Sequence, residues 1–188
     1  MWKFMLPVGV LAGLAAVFYV GLYRNPGYIP SPFIGKPAPG YELPSLADPS
    51  VMVSSKEFEG KVALVNVWGT WCGGCREEHS YLLTVARTSG VPIYGIDWQD
   101  DRDSAIKWLS TLGNPYVTTG FDSTGKAAID WGVYGAPETF LIGRDGTVLY
   151  KHIAPLTPDV WQKEFVPRIE KECGSVPCPA EGETQSRR

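Results

Sequence analysis

Two cysteines in Trp71-Cys72-Gly73-Gly74-Cys75 stand where an apolar strand pattern gives way to an amphipathic helix pattern, and that junction constrains the chain more than any other feature. Lys61 to Trp68 is a continuous apolar stretch that reads as a buried strand. Arg76 to Val85 places Leu82, Leu83 and Val85 at the apolar positions of a helix. Cys72 therefore falls at the helix N-terminus, and Cys75 follows one turn in. A helix N-terminus carries partial positive charge and unpaired N–H groups, so it favours thiolate over thiol. The spacing makes Cys72 a nucleophile and leaves Cys75 close enough to resolve the bond it forms.

With 188 residues, the chain suits one domain plus appendages. Phe4 to Tyr23 is a run of twenty residues without a charge, long enough as a helix to span the ~30 Å hydrocarbon core of a bilayer. The flank Val20-Gly21-Leu22-Tyr23-Arg24 offers no good cleavage site, so residues 1–24 read as an uncleaved anchor; a cleaved signal is the alternative. Residues 25–37 form a Pro/Gly-rich linker, residues 38–172 the globular domain and residues 173–188 a C-terminal tail. Two cysteine pairs fit an oxidising compartment, so the domain is expected to face the periplasm from a bacterial inner membrane. Once Lys3 and Arg24 are set aside, 15 of the 17 basic residues stand against 20 acidic ones. That balance lacks the basic stripe of nucleic-acid binding.

Further along, Ser54 to Phe58 reads as a capped helical turn, Val91 to Trp98 as a second strand and Asp103 to Leu109 as a helix. Glu138 to Ile142 and Thr147 to Ile153 are strands joined at Gly143-Arg144-Asp145-Gly146, and Thr157-Pro158-Asp159 opens a last helix to about Glu172. Alternating elements followed by a hairpin give an α/β fold: a mixed central sheet covered by helices.

A strand-to-helix WCxxC followed by a proline ahead of a strand resembles the thioredoxin superfamily. Asn66-Val67-Trp68-Gly69-Thr70-Trp71-Cys72, Glu78-His79, Asp100-Asp101-Arg102, Leu112-Gly113-Asn114-Pro115-Tyr116 and Gly132 to Ile142 (GVYGAPETFLI) narrow the match. They resemble the membrane-anchored CcmG or DsbE thiol:disulfide oxidoreductases of cytochrome c maturation, over roughly Ile34 to Glu172. The resemblance implies a thioredoxin-like fold and a periplasmic protein that needs no cofactor. Such a protein reduces the haem-binding CxxCH disulfide of apocytochrome c, or its mixed disulfide with a maturation partner. It is itself re-reduced by a membrane electron donor of the DsbD or CcdA kind. A related reductase with another envelope client, such as a copper-site assembly protein, is the alternative. The Pro-x-x-x-Thr-x-x-Cys context of peroxidatic cysteines is absent.

Cys72 and Cys75 are then the redox-active pair. Pro137 is the residue whose peptide bond is cis in the superfamily, and Trp71, Tyr134 and Ala136 are expected to line a substrate groove with it. Tyr134 could instead pack in the core. Where thioredoxin has a buried carboxylate, this chain has Asn66, which cannot move a proton near neutral pH. Glu138 is the first substitute as acid–base group and Glu78 the second. Both are expected to be buried beside apolar groups with raised pKa values. His79 could pair with a cysteine, but reads better as a partly exposed helix residue; His152 gives no functional signal. Cys173 and Cys178 permit a small local disulfide. The competing use of Cys72 and Cys75 is half a zinc site, completed by Cys173 and Cys178 or by His79 and His152.

Overall fold

Apolar side chains in the central strands point alternately to two opposite layers, and this alternation organises the domain. The computed structural model of the protein describes residues 2–23 and 33–179. The chain divides into two units, Met1–Pro30 and Ser31–Arg188.

The first unit holds helix α1, Trp2–Tyr23, on which Met5, Leu6, Leu11, Leu14, Val17 and Phe18 are all exposed. Its side chains are described for residues 5–7 and 9–19. Among the described residues no helix is long and apolar enough to cross a membrane. Residues 24–32 of the expected linker and 180–188 of the expected tail lie outside the described residues.

The second unit begins with β1 (Glu42–Pro44) and β2 (Met52–Ser54), a small antiparallel pair, and a 3-10 turn at Ser55–Phe58. β3 (Ala63–Trp68) and β4 (Ile93–Trp98) are joined through α2 (Gly73–Thr88), and α3 (Arg102–Leu112) leads on to β5 (Thr119–Asp122). After α4 (Lys126–Asp130) come β6 (Glu138–Ile142) and β7 (Val148–Ile153). The chain closes with α5 (Pro158–Val160), a π-helical turn Trp161–Phe165 and α6 (Val166–Cys173). The five-stranded sheet has the order β5-β4-β3-β6-β7, with β3, β4 and β5 parallel and β6 and β7 antiparallel to their neighbours. This is the mixed sheet with flanking helices that the sequence implied, in a thioredoxin-like arrangement.

β3 is the middle strand and is buried along its whole length, as a strand covered on both faces must be. Leu64 and Trp68 join one core with Cys75, Leu82, Trp108, Leu141 and Phe165. Ala63, Val65 and Val67 join the other with Tyr41, Phe58, Trp131 and Phe140. Period-two alternation therefore assigns Asn66 to the first face, the one α2 covers, and its partner Thr139 likewise.

Two expected boundaries are corrected. The expected linker reaches residue 37, but residues from Ile34 onward are already docked: the Gly35 and Ala38 N–H groups donate to the Val148 and Gly146 carbonyls. Pro37, between them, has no N–H to give. The domain was ended at 172, but the Cys178 N–H donates to the Ser89 carbonyl at 2.8 Å and Cys178 packs in the first core. Gly90 makes this approach possible: it takes a positive φ of 67°, and a Cβ there would run into the Cys178 backbone.

Candidate active site

The turn from β3 into α2 puts Cys72 at the N-cap, in extended backbone, where its sulfur accepts the Cys75 N–H at 3.0 Å. A sulfur in that position meets the positive end of a 16-residue helix, the arrangement that stabilises a thiolate once the disulfide is opened. Cys72 and Cys75 are joined as a disulfide, as are Cys173 and Cys178. Cys72 keeps only 5% exposure and Cys75 4%. The bonded sulfurs turn inward onto the first core, which is what closes them from solvent.

The Ala136–Pro137 peptide bond is cis. Pro137 and Pro155 sit directly over Gly74, since a Cβ on Gly74 would lie 2.9 Å from the Pro137 ring and 3.0 Å from that of Pro155. Gly73 has open space in the same test. Around this junction Trp71 is 53% exposed, its indole N–H donating to the Trp98 carbonyl at 3.0 Å and its ring set edge-on to Trp98. Tyr134 is 57% exposed, which places it at the surface and not in the core, and Ala136 is half-buried.

Beneath the disulfide, Glu78 lies one turn beyond Cys75 and is buried. One carboxylate oxygen accepts from Asn66 Nδ2 at 2.9 Å and the other from the Leu156 N–H at 2.6 Å. Asn66 in turn donates to Thr139 Oγ1 at 3.0 Å and accepts from the Tyr116 hydroxyl at 2.8 Å. Burial pushes the Glu78 pKa up to about 7, against the two hydrogen bonds that favour the charged form. A carboxyl group poised there can hold or release a proton at working pH.

Glu138 is placed differently. It pairs with Val67 in the sheet and so faces the second core, away from α2. Its carboxylate forms a buried ion pair with Lys151 at 2.8 Å and accepts the Tyr134 N–H at 3.3 Å. Lys151 also donates to the Gly132 carbonyl and lies over the Tyr134 ring. Burial raises the Glu138 pKa while Lys151 pulls it down. Glu78 thus shares the cysteines' face of the sheet, whereas Glu138 holds the loop before Pro137 from the other face.

His79 is buried, contrary to the partly exposed position expected. Its Nδ1 accepts from the Trp108 indole N–H at 3.2 Å, which leaves Nε2–H to donate to the Gly113 carbonyl at 2.9 Å. Both nitrogens are engaged, and burial lowers its pKa, so it stays neutral as a strut between α2 and α3. Sequence reasoning gave no role to Tyr116, Thr139 or Leu156. Nothing local marks hydroxyls that meet Asn66, or an N–H that meets Glu78, from distant parts of the chain.

Comparison with known proteins agrees with this geometry. The redoxin family profile matches residues 33–165. The chain is 42% identical over 173 residues to the thiol:disulfide interchange protein DsbE of Allochromatium vinosum, covering 92% of this chain and 96% of that protein. It is 44% identical to the Pseudomonas aeruginosa protein of that name, over 89% and 92% of the two chains. The Escherichia coli (strain K12) DsbE is 42% identical over 89% and 93%. Among solved structures, a candidate DsbE from Chlorobium tepidum superposes with a TM-score of 0.57 at 26% identity, covering 72% of this chain and 93% of that one. These likenesses run through both the cysteine junction and the sheet that carries it, and the chain belongs to the DsbE (CcmG) family of thiol:disulfide interchange proteins, thioredoxin-like disulfide oxidoreductases.

Proposed function

We propose that this protein is a reductant tethered to the bacterial inner membrane by its N-terminal segment, residues 1–24, with its domain in the periplasm. There it reduces the haem-binding CxxCH disulfide of apocytochrome c, or that segment's mixed disulfide with a maturation partner. The observation that carries the reading is the Cys72–Cys75 pair at the head of α2, set against cis-Pro137 and backed by the buried Glu78. Its support as to client comes from family membership, and as to place from the charge-free run Phe4–Tyr23. A membrane electron donor of the DsbD or CcdA kind completes the cycle.

In the reduced protein the Cys72 thiolate attacks a substrate disulfide R–S–S–R′. A bond forms between Cys72 and R–S while R′–S⁻ departs. The Cys75 thiol gives its proton to the Glu78 carboxylate and attacks the Cys72 sulfur, closing the protein disulfide and expelling R–S⁻. Two electrons pass to the substrate, whose sulfurs leave as thiolates that take up protons, one of them returned by Glu78. Extended backbone beside cis-Pro137, with Trp71, Tyr134 and Ala136 around it, offers the substrate chain a place to pair.

Trapping tests this. A full-length Cys75→Ser variant, expressed where cytochrome c is made, should accumulate a mixed disulfide with apocytochrome c or its maturation thiol protein. Recovery of another envelope protein alone, such as a copper-site assembly factor, would overturn the client. A C-terminal reporter enzyme active only outside the cytoplasm should be active; a silent fusion would overturn the placement.

A further inference from the structure

Asp97 lies on β4 directly beside Trp68, on the same sheet face as Asn66 and the cysteines, and has no solvent exposure. Among the described residues no donor gives a hydrogen bond to either of its carboxyl oxygens. An ionised carboxylate left in that state would lose its hydration with nothing in return. Among the described residues, the side chain that meets Asp97 is another carboxyl, that of Asp100 in the loop after β4. Two carboxylates cannot bond to each other, but a protonated one can donate to an ionised one.

Asp100 shows which of the two accepts. Its Oδ2 takes the Thr70 N–H at 2.5 Å, and its Oδ1 takes the Thr70 hydroxyl at 2.6 Å and the Asp101 N–H at 2.8 Å. Three donors converge on it, so the proton between the acids belongs on Asp97. Thr70 stands two residues before Cys72, in the turn from β3 into α2, so the chain of bonds ends at the active-site turn.

We propose that Asp97 is a positioning residue that carries a proton and donates it to Asp100, which in turn clamps Thr70 and so holds the turn bearing Cys72. Other groups around Asp97 fit this assignment. Asp101 adds negative charge from the same loop. Arg102 supplies a positive one, although its guanidinium is already bound to the Ser45 and Leu46 carbonyls. Tyr116, from the loop before β5, is held in its neutral form by burial first and then by the charge of Glu78. Neighbouring Trp68 Nε1 and Thr119 Oγ1 carry no charge. Burial first, and then the charge of Asp100, push the Asp97 pKa up to about 8. Loss of the proton replaces an acid-to-carboxylate bond by two facing negative charges, so the hold on Thr70 weakens as pH rises.

This deepens the reading of Cys72 as the attacking thiol, and the test is made on the disulfide form, where neither active-site cysteine titrates. With full-length protein in detergent, the Thr70 amide resonance and the Asp97 carboxyl carbon are followed from pH 5 to pH 9.5. Both should move together in the alkaline range, and the movement of Thr70 should persist in Glu78→Gln and vanish in Asp97→Asn, whose amide donates at every pH. Above the transition, Thr70 amide exchange should exceed that of Asp97→Asn by about tenfold, the change expected for one hydrogen bond to a charged group. An Asp97 carbon that titrates in the ordinary acid range overturns the proposal in the natural chain alone, should the variant fail to fold. So does a Thr70 inflection that survives Asp97→Asn. A failed trapping experiment would leave these titrations untouched.

Discussion

Glu78 and Glu138 are both buried acids near the cysteine pair, yet their neighbours give them different work. Among the described residues Glu78 has two neutral donors and no cation, so burial dominates and the group titrates near neutrality. Glu78→Gln should slow the closure of the mixed disulfide by about a hundredfold in quenched-flow experiments, leaving the first attack by Cys72 unchanged. In the natural chain that closure should speed up as pH rises through about 7, because the carboxylate is the form that accepts the proton. The same shift acts on stability. A pKa raised from 4.5 by folding gives a contribution present below about 4.5 and lost as pH climbs through about 7. Urea unfolding of the oxidised protein should therefore show a loss on the order of 2 kcal/mol from this group between pH 5 and pH 8, absent in Glu78→Gln. Glu138→Gln should behave otherwise. It leaves the buried Lys151 without its counter-charge, so it should cost about 3–5 kcal/mol in the same unfolding experiment. Because Glu138 faces the second core, the thiol pKa of Cys72 should not move.

At the scale of elements, the start of α2 was legible from residues 61 to 85 because hydrophobic period changes there from strand to helix. The roles of the two glycines were not. Side by side in sequence, they differ only in what the folded chain lays over them: open space at Gly73, two proline rings at Gly74. Gly73→Ala should be neutral or slightly stabilising, as alanine is the better helix former. Gly74→Ala should push against Pro137 and Pro155, cost about 1–3 kcal/mol and slow disulfide exchange with a peptide substrate. Calorimetry and a reductase assay on the pair separate steric from dipeptide effects. Other elements escaped sequence reading for a different reason. β5 has four residues with Gly120 inside, and α4 has five, too short to establish a period. They form because the sheet edge beside β4 and the apolar face under Trp131 are there to receive them.

Across the whole molecule, the C-terminal cysteine pair turns from a local loop into a tie between distant segments. Closing a five-residue separation restricts the unfolded chain only modestly. Cys178 nevertheless packs in the first core and binds the turn between α2 and β4, so the bridge fixes the end of α6 against that turn. Cys173→Ser with Cys178→Ser should lower the unfolding free energy by about 2 kcal/mol, within the usual range for a disulfide. Hydrogen exchange should show the loss concentrated at Ser89, Gly90 and α6. Unchanged protection there would mean that the docking stands without the bond.

Local chemistry alone determined much of this protein. Strand and helix periods place the cysteine pair at a helix start, Pro137 stands ahead of a strand, and segments such as Gly132 to Ile142 carry the family, because each of these signals is contained in a few consecutive residues. Depth and company were decided only by the tertiary structure. Which glutamate lies under the cysteines, which histidine is a strut, and which aspartate has no donor all depend on the face a side chain takes and on groups arriving from far along the chain. Burial and long-range partners set the charge of such groups, and neither is written beside them in the sequence.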